Sequence, residues 1–163
     1  MKESVSSFKK KLDKVFSDFI RQRDKGVCFT CGTRKPWKEM QNGHFISRSH
    51  NAMRFDERNC NCQCVGCNVF KSGNMPAYAI NLQSKYGNEI LKTLYKAGQK
   101  VKQFSVPELK KMIQKYKDKA LENRADAIKW LESCFGKRDP KAKKEKAKKE
   151  EAKVVVKEEG DEG

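Results

Sequence analysis

No apolar run in this chain approaches the roughly 20 residues that cross a bilayer, which excludes a membrane-spanning helix of ordinary length. Met1-Lys2-Glu3 leads into an amphipathic stretch with no apolar core of the kind secretory signals carry. The expectation is a soluble, intracellular protein in the cytoplasm. No internal repeat is present. Histidine is scarce: His44 and His50 are the only two in 163 residues, so imidazole chemistry would fall to one of them. Acidic residues are outnumbered, with 21 Asp and Glu against 37 Lys and Arg and a net charge of +16.

The basic excess is not a tail effect. From Lys137 onward ten basic residues meet eight acidic ones, so the first 136 residues carry 27 against 13, a net of +14. Such a charge favours a polyanionic partner, because each phosphate contact releases condensed counterions. DNA is the expected partner, with no membrane. The stretch 137–163 is rich in Lys, Glu and Ala, has little to bury, and reads as an exposed helix or a disordered tail. The remaining 1–136 suffice for one compact domain that leans on a staple.

Cysteine is abundant, with seven residues. An odd count without a signal peptide suits a reducing compartment and metal-bound thiolates. Cys28-Phe-Thr-Cys31 and Cys64-Val-Gly-Cys67 form two Cys-x-x-Cys pairs. That spacing reads as one tetrahedral zinc site, each pair sitting on a tight turn; Gly32 suits such a turn. A rival set uses Cys62 in place of Cys64. Cys134 reads as a small buried hydrophobe on the last helix.

Periodicity predicts a helix over 6–23, with Phe8, Leu12, Val15, Phe16 and Phe19 on one face and Lys10, Lys11, Lys14 and Asp18 opposite. A strand is expected around His44–Ile46, a loop over 50–53, an extended stretch from Phe55, and alternation through Cys60, Cys62 and Cys64. A short helix is expected from Asn68 to Lys71. Pro76 suits the first turn of the next helix, with a break at Gly87 and a stop at Gly98. Ser105-Val-Pro-Glu108 has capping-box form and opens a long helix reaching Phe135.

Within 28–74 the order Cys28-x-x-Cys31, His44, Asn59, Cys64-x-x-Cys67-Asn68 and Lys71 resembles the HNH, or ββα-metal, nucleases. A closer resemblance rests on Gly43-His44-Phe45, Arg54-Phe55-Asp56-Glu57-Arg58-Asn59, Gln63-Cys64-Val65-Gly66-Cys67-Asn68 and Lys71-Ser72-Gly73-Asn74. These runs are similar to the NinG (Rap) family of phage recombination endonucleases, over about residues 5–122. The resemblance implies an α+β fold: a small zinc-stapled ββα unit over 28–74, a helical part over 76–135, and the charged tail. It implies a metal-dependent endonuclease acting on branched or junction DNA during recombination, in the host cell cytoplasm for a phage-encoded member. It leaves room for a homodimer and for phage or host recombination proteins as partners.

The same resemblance assigns roles. His44 stands where the family places its general base, and a neutral imidazole suits removing a proton from water near pH 7. Asn59 would orient the His44 loop or ring; from composition alone it is equally a turn or capping residue. Asn68 stands at a divalent-ion ligand position, and its carbonyl suits Mg²⁺ or Mn²⁺; the alternative is an N-cap. Arg48, Arg54, Arg58 and Lys71 would hold phosphates, or each is a solvated surface charge. His50 reads as a loop residue near DNA, or as a displaced ligand. The family pattern often has an acid immediately before the first histidine, where this chain has Gly43. Asn42 and Asp56 are nearby substitutes, and neither matches by position. The rival function is a non-catalytic, zinc-dependent DNA-binding recombination protein, which accounts equally for charge and cysteines.

Overall fold

The computed structural model describes residues 4–135. A compact unit runs to Arg124, and residues from Ala125 on group separately, ahead of the composition change at Lys137. The expected tail over 137–163 lies outside the described residues.

Helix α1 spans Val5–Arg23 and begins at Ser4, whose side chain accepts from Ser7 N at 3.2 Å. Its apolar face buries Phe8, Leu12, Phe16, Phe19 and Ile20. They join Phe55, Phe104, Leu109, Tyr116 and Ala120 in one core. Phe16 meets Tyr116 edge-on at 4.8 Å between ring centroids. Each large side chain so buried contributes roughly 1.5–3 kcal/mol. The helix ends because Lys25 and Gly26 turn left-handed, at φ 54° and 67°. Gly26 is required there: a Cβ would fall 2.0 Å from the Lys35 carbonyl oxygen.

The sheet has two antiparallel strands, β1 (Gln41–His44) and β2 (Cys60–Gln63), with Gln41 opposite Gln63 and His44 opposite Cys60. β1 therefore lies earlier than expected, because its pairing stops at His44. Beyond it, Phe45 N bonds Asn59 O at 3.0 Å and the chain turns around the Asn59 side chain. The loop expected over 50–53 holds a short helix, α2 (Asn51–Arg54). Phe55 does not open an extended stretch. It caps α2 and is drawn into the α1 core, and a turn over 56–59 leads to β2. β2 is buried along its whole length rather than on alternate faces. Its outer edge is covered as well: Cys62 N donates to Asp24 Oδ2 at 2.8 Å, Phe29 N to Cys62 O at 2.7 Å, and Arg23 Nη2 to Cys60 O at 3.0 Å. That edge of β2 is therefore closed to a further strand.

After β2 comes a single π-helical turn over Gly66–Phe70, closed by Lys71 N on Gly66 O at 3.0 Å. The short helix expected over Asn68–Lys71 is therefore present, beginning two residues earlier, at Gly66. Helix α3 (Met75–Tyr86) follows, then α4 (Ile90–Gly98) and α5 (Val106–Phe135). Pro76 lies in the first turn of α3 and Gly87 separates it from α4. Glu108 N bonds Ser105 Oγ at 3.3 Å, but the Glu108 carboxylate pairs with Lys102, so only half of the capping box forms. A second core gathers Met53, Tyr78, Leu82, Ile90 and Leu94. The architecture is thus α+β, mostly helical, with one small sheet. No helix among the described residues is long and apolar enough to cross a membrane.

Candidate active site

Cys28, Cys31, Cys64 and Cys67 converge, their sulfur atoms all within 4.8 Å of one another. Cys31 and Cys64 are 3.8 Å apart. A zinc ion about 2.3 Å from each of four thiolates sets sulfurs about 3.8 Å apart. The four can therefore hold a metal ion such as zinc. Each pair rides a turn: Gly32 N closes on Cys28 O at 2.9 Å with Gly32 at φ 74°, and Cys67 N closes on Cys64 O at 3.1 Å. Burial raises the Cys28 thiol, but the Thr30 hydroxyl and nearby backbone amides outweigh it and bring it down to about 6. The Thr33 hydroxyl likewise lowers Cys31. Cys62 is outside the set of four and packs in one small core with Cys28, Met40 and Cys67; burial pushes its thiol up to about 12, as it pushes that of Cys64 up to about 11, so position and not acidity sets Cys62 apart. The rival set with Cys62 in place of Cys64 is not formed. Cys60, fully buried, is pushed well up by burial too. The Cys134 side chain lies outside the described residues.

His44 ends β1, half-buried, with Nε2 3.0 Å from the Arg54 carbonyl oxygen. A carbonyl only accepts, so the neutral ring carries its proton on Nε2 and leaves Nδ1 as the basic nitrogen. Burial lowers the pKa of His44 below its ordinary 6.5, and the Arg54 charge adds to this. The carbonyls of Arg54 and Asn42 and the Asp13 charge oppose the shift without cancelling it. The imidazole is neutral at pH 7.

Arg54 is fixed from the other side. Its Nε and Nη2 donate to the two oxygens of Asp13 at 2.8 and 2.6 Å, and its Nη1 donates to Arg48 O at 2.9 Å. Asn59 is fully buried. Its Nδ2 donates to Ile46 O at 2.9 Å and Met53 O at 3.0 Å, and its Oδ1 accepts from Ile46 N at 2.7 Å. It therefore clamps the loop after His44 and does not touch the ring. Asn68 lies within the Gly66–Phe70 turn rather than capping it, and donates to Gln41 Oε1 at 2.6 Å.

A cleft of about 520 Å³ brings these parts together. α1 supplies Lys10, Asp13 and Lys14 among others; β1 supplies Gln41, Asn42 and His44; Arg48, Arg54 and Asn68 also line it. Asn42 Oδ1 is buried with no partner among the described residues. Asp56 is not on the cleft; it pairs with Arg58 at 2.8 Å. Of the four cations expected at phosphate, Arg54 and Arg58 are held by carboxylates, while Arg48 and Lys71 are exposed. His50 also lies off the cleft, its Nδ1 3.1 Å from Gly98 O. Gly43 has no room for the acid expected there: a Cβ would fall 2.0 Å from Gln63 Oε1.

Sequence reasoning missed Asp13, Lys10, Lys14 and Gln41. The alternation of charge along α1 is visible, but it does not say which part of the polar face meets β1.

The family model of the bacteriophage lambda NinG protein matches residues 1–126. The ninG protein of Escherichia phage lambda is 38% identical over 82 residues, covering 49% of this chain and 40% of that protein. That of Salmonella phage P22 is 38% identical over 80 residues, covering 48% and 39%. That of Escherichia phage 933W is 38% identical over 82 residues, covering 49% and 40%. The match spans about two-fifths of the length of these relatives. No solved structure matches this chain.

Proposed function

This chain belongs to the NinG family, and on that premise we propose that it is a metal-dependent DNA endonuclease acting on branched DNA in phage recombination. One observation carries the reading. A neutral imidazole, with Nδ1 as its basic nitrogen, shares a cleft with Asn68 and with cationic side chains, close behind a four-cysteine cluster.

The roles follow from chemistry. Hydrolysis of a phosphodiester needs a proton removed from water and charge stabilised on the phosphate. His44 Nδ1 takes the proton, and the Arg54 carbonyl keeps Nε2 protonated so the ring stays turned the right way. Asn59 holds the strand-to-loop geometry that places His44. Arg48, with Lys10 and Lys14 from α1, holds phosphates, and Lys71 meets the backbone beyond the cleft; Arg58 takes part once it leaves Asp56. Arg54 serves mainly to join His44 to Asp13. The oxygen donors on the cleft wall suit a hard cation: Asn68 and Asn42 amide oxygens and the Asp13 carboxylate. They would hold Mg²⁺ or Mn²⁺, which when bound supplies positive charge to the phosphate. Zinc at the four cysteines would be structural.

The rival, a non-catalytic zinc-dependent DNA-binding recombination protein, draws support from Gly43, where the expected acid is missing. Plasmid nicking with Mg²⁺, wild type against His44→Ala, separates them. Loss of nicking in the variant, with retained DNA binding, supports the endonuclease; equal nicking, or none in either, favours the rival.

A further inference from the structure

The Gly66–Phe70 turn points consecutive residues in different directions. Cys67 is buried in the cysteine cluster and Asn68 lines the cleft, while Val69 and Phe70 stand in solvent. Phe70 is 81% exposed and Val69 53%, with Val65 also exposed just before the turn. Single exposed apolar residues are ordinary. A phenylalanine on a locked turn beside a cationic cleft is a more specific feature. Gly73 N closes the turn on Cys67 O and Asn68 O at 2.9 and 3.1 Å, and Gln63 Nε2 holds Gly73 O at 2.7 Å. Ser72, Gly73 and Asn74 are all left-handed, at φ 46°, 86° and 48°. Such a run persists only where the surroundings over-determine it. The ring is thus presented on backbone that is already ordered, so little entropy is lost when something covers it.

Charge selects the occupant. Lys71 follows directly and is exposed, and Lys10, Lys14 and Arg48 line the cleft with no carboxylate partner among the described residues. A second copy of a chain of net charge +16 would bring like charge to this face. A nucleic-acid strand brings the opposite charge and an aromatic face together. We propose that Phe70, flanked by Val65 and Val69, is a stacking platform for an unpaired nucleobase of the strand whose phosphates lie in the cleft. The scale agrees. Phe70 is two positions beyond Asn68, at most about 7 Å of chain, and a stacked strand rises about 3.4 Å per nucleotide. The base concerned is one or two nucleotides from the phosphate at the Asn68 end of the cleft. Stacking on a side chain needs a base face free of its neighbours, which a fully paired duplex does not offer. This inference rests on the DNA-binding part of the proposed function.

The test measures binding, so it does not depend on cleavage. The full chain, without added Mg²⁺ or Mn²⁺, is titrated into a single-stranded oligonucleotide carrying one fluorescent adenine analogue and into the fully paired duplex. Wild type should change the fluorescence of the unpaired analogue. Phe70→Ala should abolish that change and weaken single-strand binding about tenfold, within the usual range for one aromatic–base stack. Phe70→Trp should restore both, and duplex affinity should stay the same throughout. Unchanged zinc content and melting temperature confirm that the exposed substitution leaves the fold intact. Wild-type behaviour of Phe70→Ala on bound DNA overturns the platform alone. So does a concentration-dependent dimer that Phe70→Ala dissolves, since the ring would then serve self-association. Absence of DNA binding by the wild type removes the DNA reading itself, and the platform with it.

Discussion

The backbone carbonyl of Arg54 lies 3.0 Å from His44 Nε2. That contact sets the tautomer and leaves Nδ1 as the basic nitrogen. His44→Ala should therefore lose cleavage by roughly 10²–10⁴-fold, while zinc content and DNA affinity remain. Burial lowers the folded pKa of His44 below 6.5, so cleavage should hold its full rate at neutral pH and fall only on the acidic side of that value. The same shift links to stability. Between the folded and unfolded pKa values the unfolded chain binds more protons, so this contribution is complete above 6.5 and lost as pH falls through the folded pKa. A cleavage profile whose acidic limb lies above 6.5 would contradict the buried, neutral imidazole.

Asp13 is linked to His44 by hydrogen bonds through Arg54, whose guanidinium it grips with both oxygens. Asp13→Asn should lower the cleavage rate by roughly 10–100-fold, the usual effect of losing a group that orients a working side chain. Its stability cost should be small, about 0.2–1 kcal/mol, because the pair is partly exposed. The Asp13 charge helps to keep the His44 pKa up, so its removal should move the acidic limb of the rate profile to lower pH. A limb that does not move would uncouple Asp13 from the imidazole.

Cys62 and Cys64 make opposite predictions. Cys64→Ser should release the metal and unfold the central unit, because binding and folding are coupled at such sites. Cys62→Ala should keep about one zinc per chain, since its sulfur is not one of the four that converge. Metal analysis of the two purified variants decides this. Zinc lost from Cys62→Ala and kept in Cys64→Ser would restore the rival ligand set.

What is legible in the chain follows from how local each feature is. The two cysteine turns and α1 are each set within a few residues, and they stand where the spacing puts them. The order His44, Asn59, Asn68 is also readable, and the fold brings His44 and Asn68 to one cleft. The α1 wall is not readable, because only the packing of Phe16 and Phe19 against Tyr116 decides which of its charges meet β1. β1 is displaced for a similar reason. His44-Phe45-Ile46 has strand character, but the Asn59 amide takes Ile46 N and O out of the ladder. The exposed Phe70 resembles any core residue until the turn around it is seen.

Asn59 offers a test of that clamp. Asn59→Ala leaves Ile46 N–H, Ile46 C=O and Met53 C=O without their partner in a buried site. Each unsatisfied group costs about 1–3 kcal/mol, so the unfolding free energy should fall by about 3 kcal/mol or more. Cleavage should slow without a change in the Mg²⁺ requirement, because the clamp acts on the His44 loop. Denaturant unfolding and a Mg²⁺ titration read the two effects separately. A raised Mg²⁺ requirement with normal stability would place Asn59 at the ion instead.

Gly43 is where the chain departs from the resemblance, and the fold gives a steric reason. A Cβ there would fall 2.0 Å from Gln63 Oε1 and 2.7 Å from Gln63 Cδ. Gln63 cannot easily move, because it is fully buried and its Nε2 is held by Gly73 O at 2.7 Å and Thr30 Oγ1 at 3.1 Å. The Gly43 carbonyl is engaged too, 3.1 Å from the Tyr78 hydroxyl. Restoring the acid with Gly43→Asp should therefore destabilise the chain by about 1–3 kcal/mol from overpacking alone, and more if the carboxylate is buried without a partner. It should not reduce the Mg²⁺ needed for cleavage, since the proposed ion-holding oxygens are those of the cleft. Asn68→Ala, which removes one of those oxygens, should raise the Mg²⁺ requirement and leave the melting temperature nearly unchanged. Thermal melts and Mg²⁺-dependent nicking of the two variants give the answer. A stable Gly43→Asp protein that cuts at lower Mg²⁺ than wild type would put the ion at β1 rather than in the cleft, and the roles of Asn68 and Asp13 would fall with it.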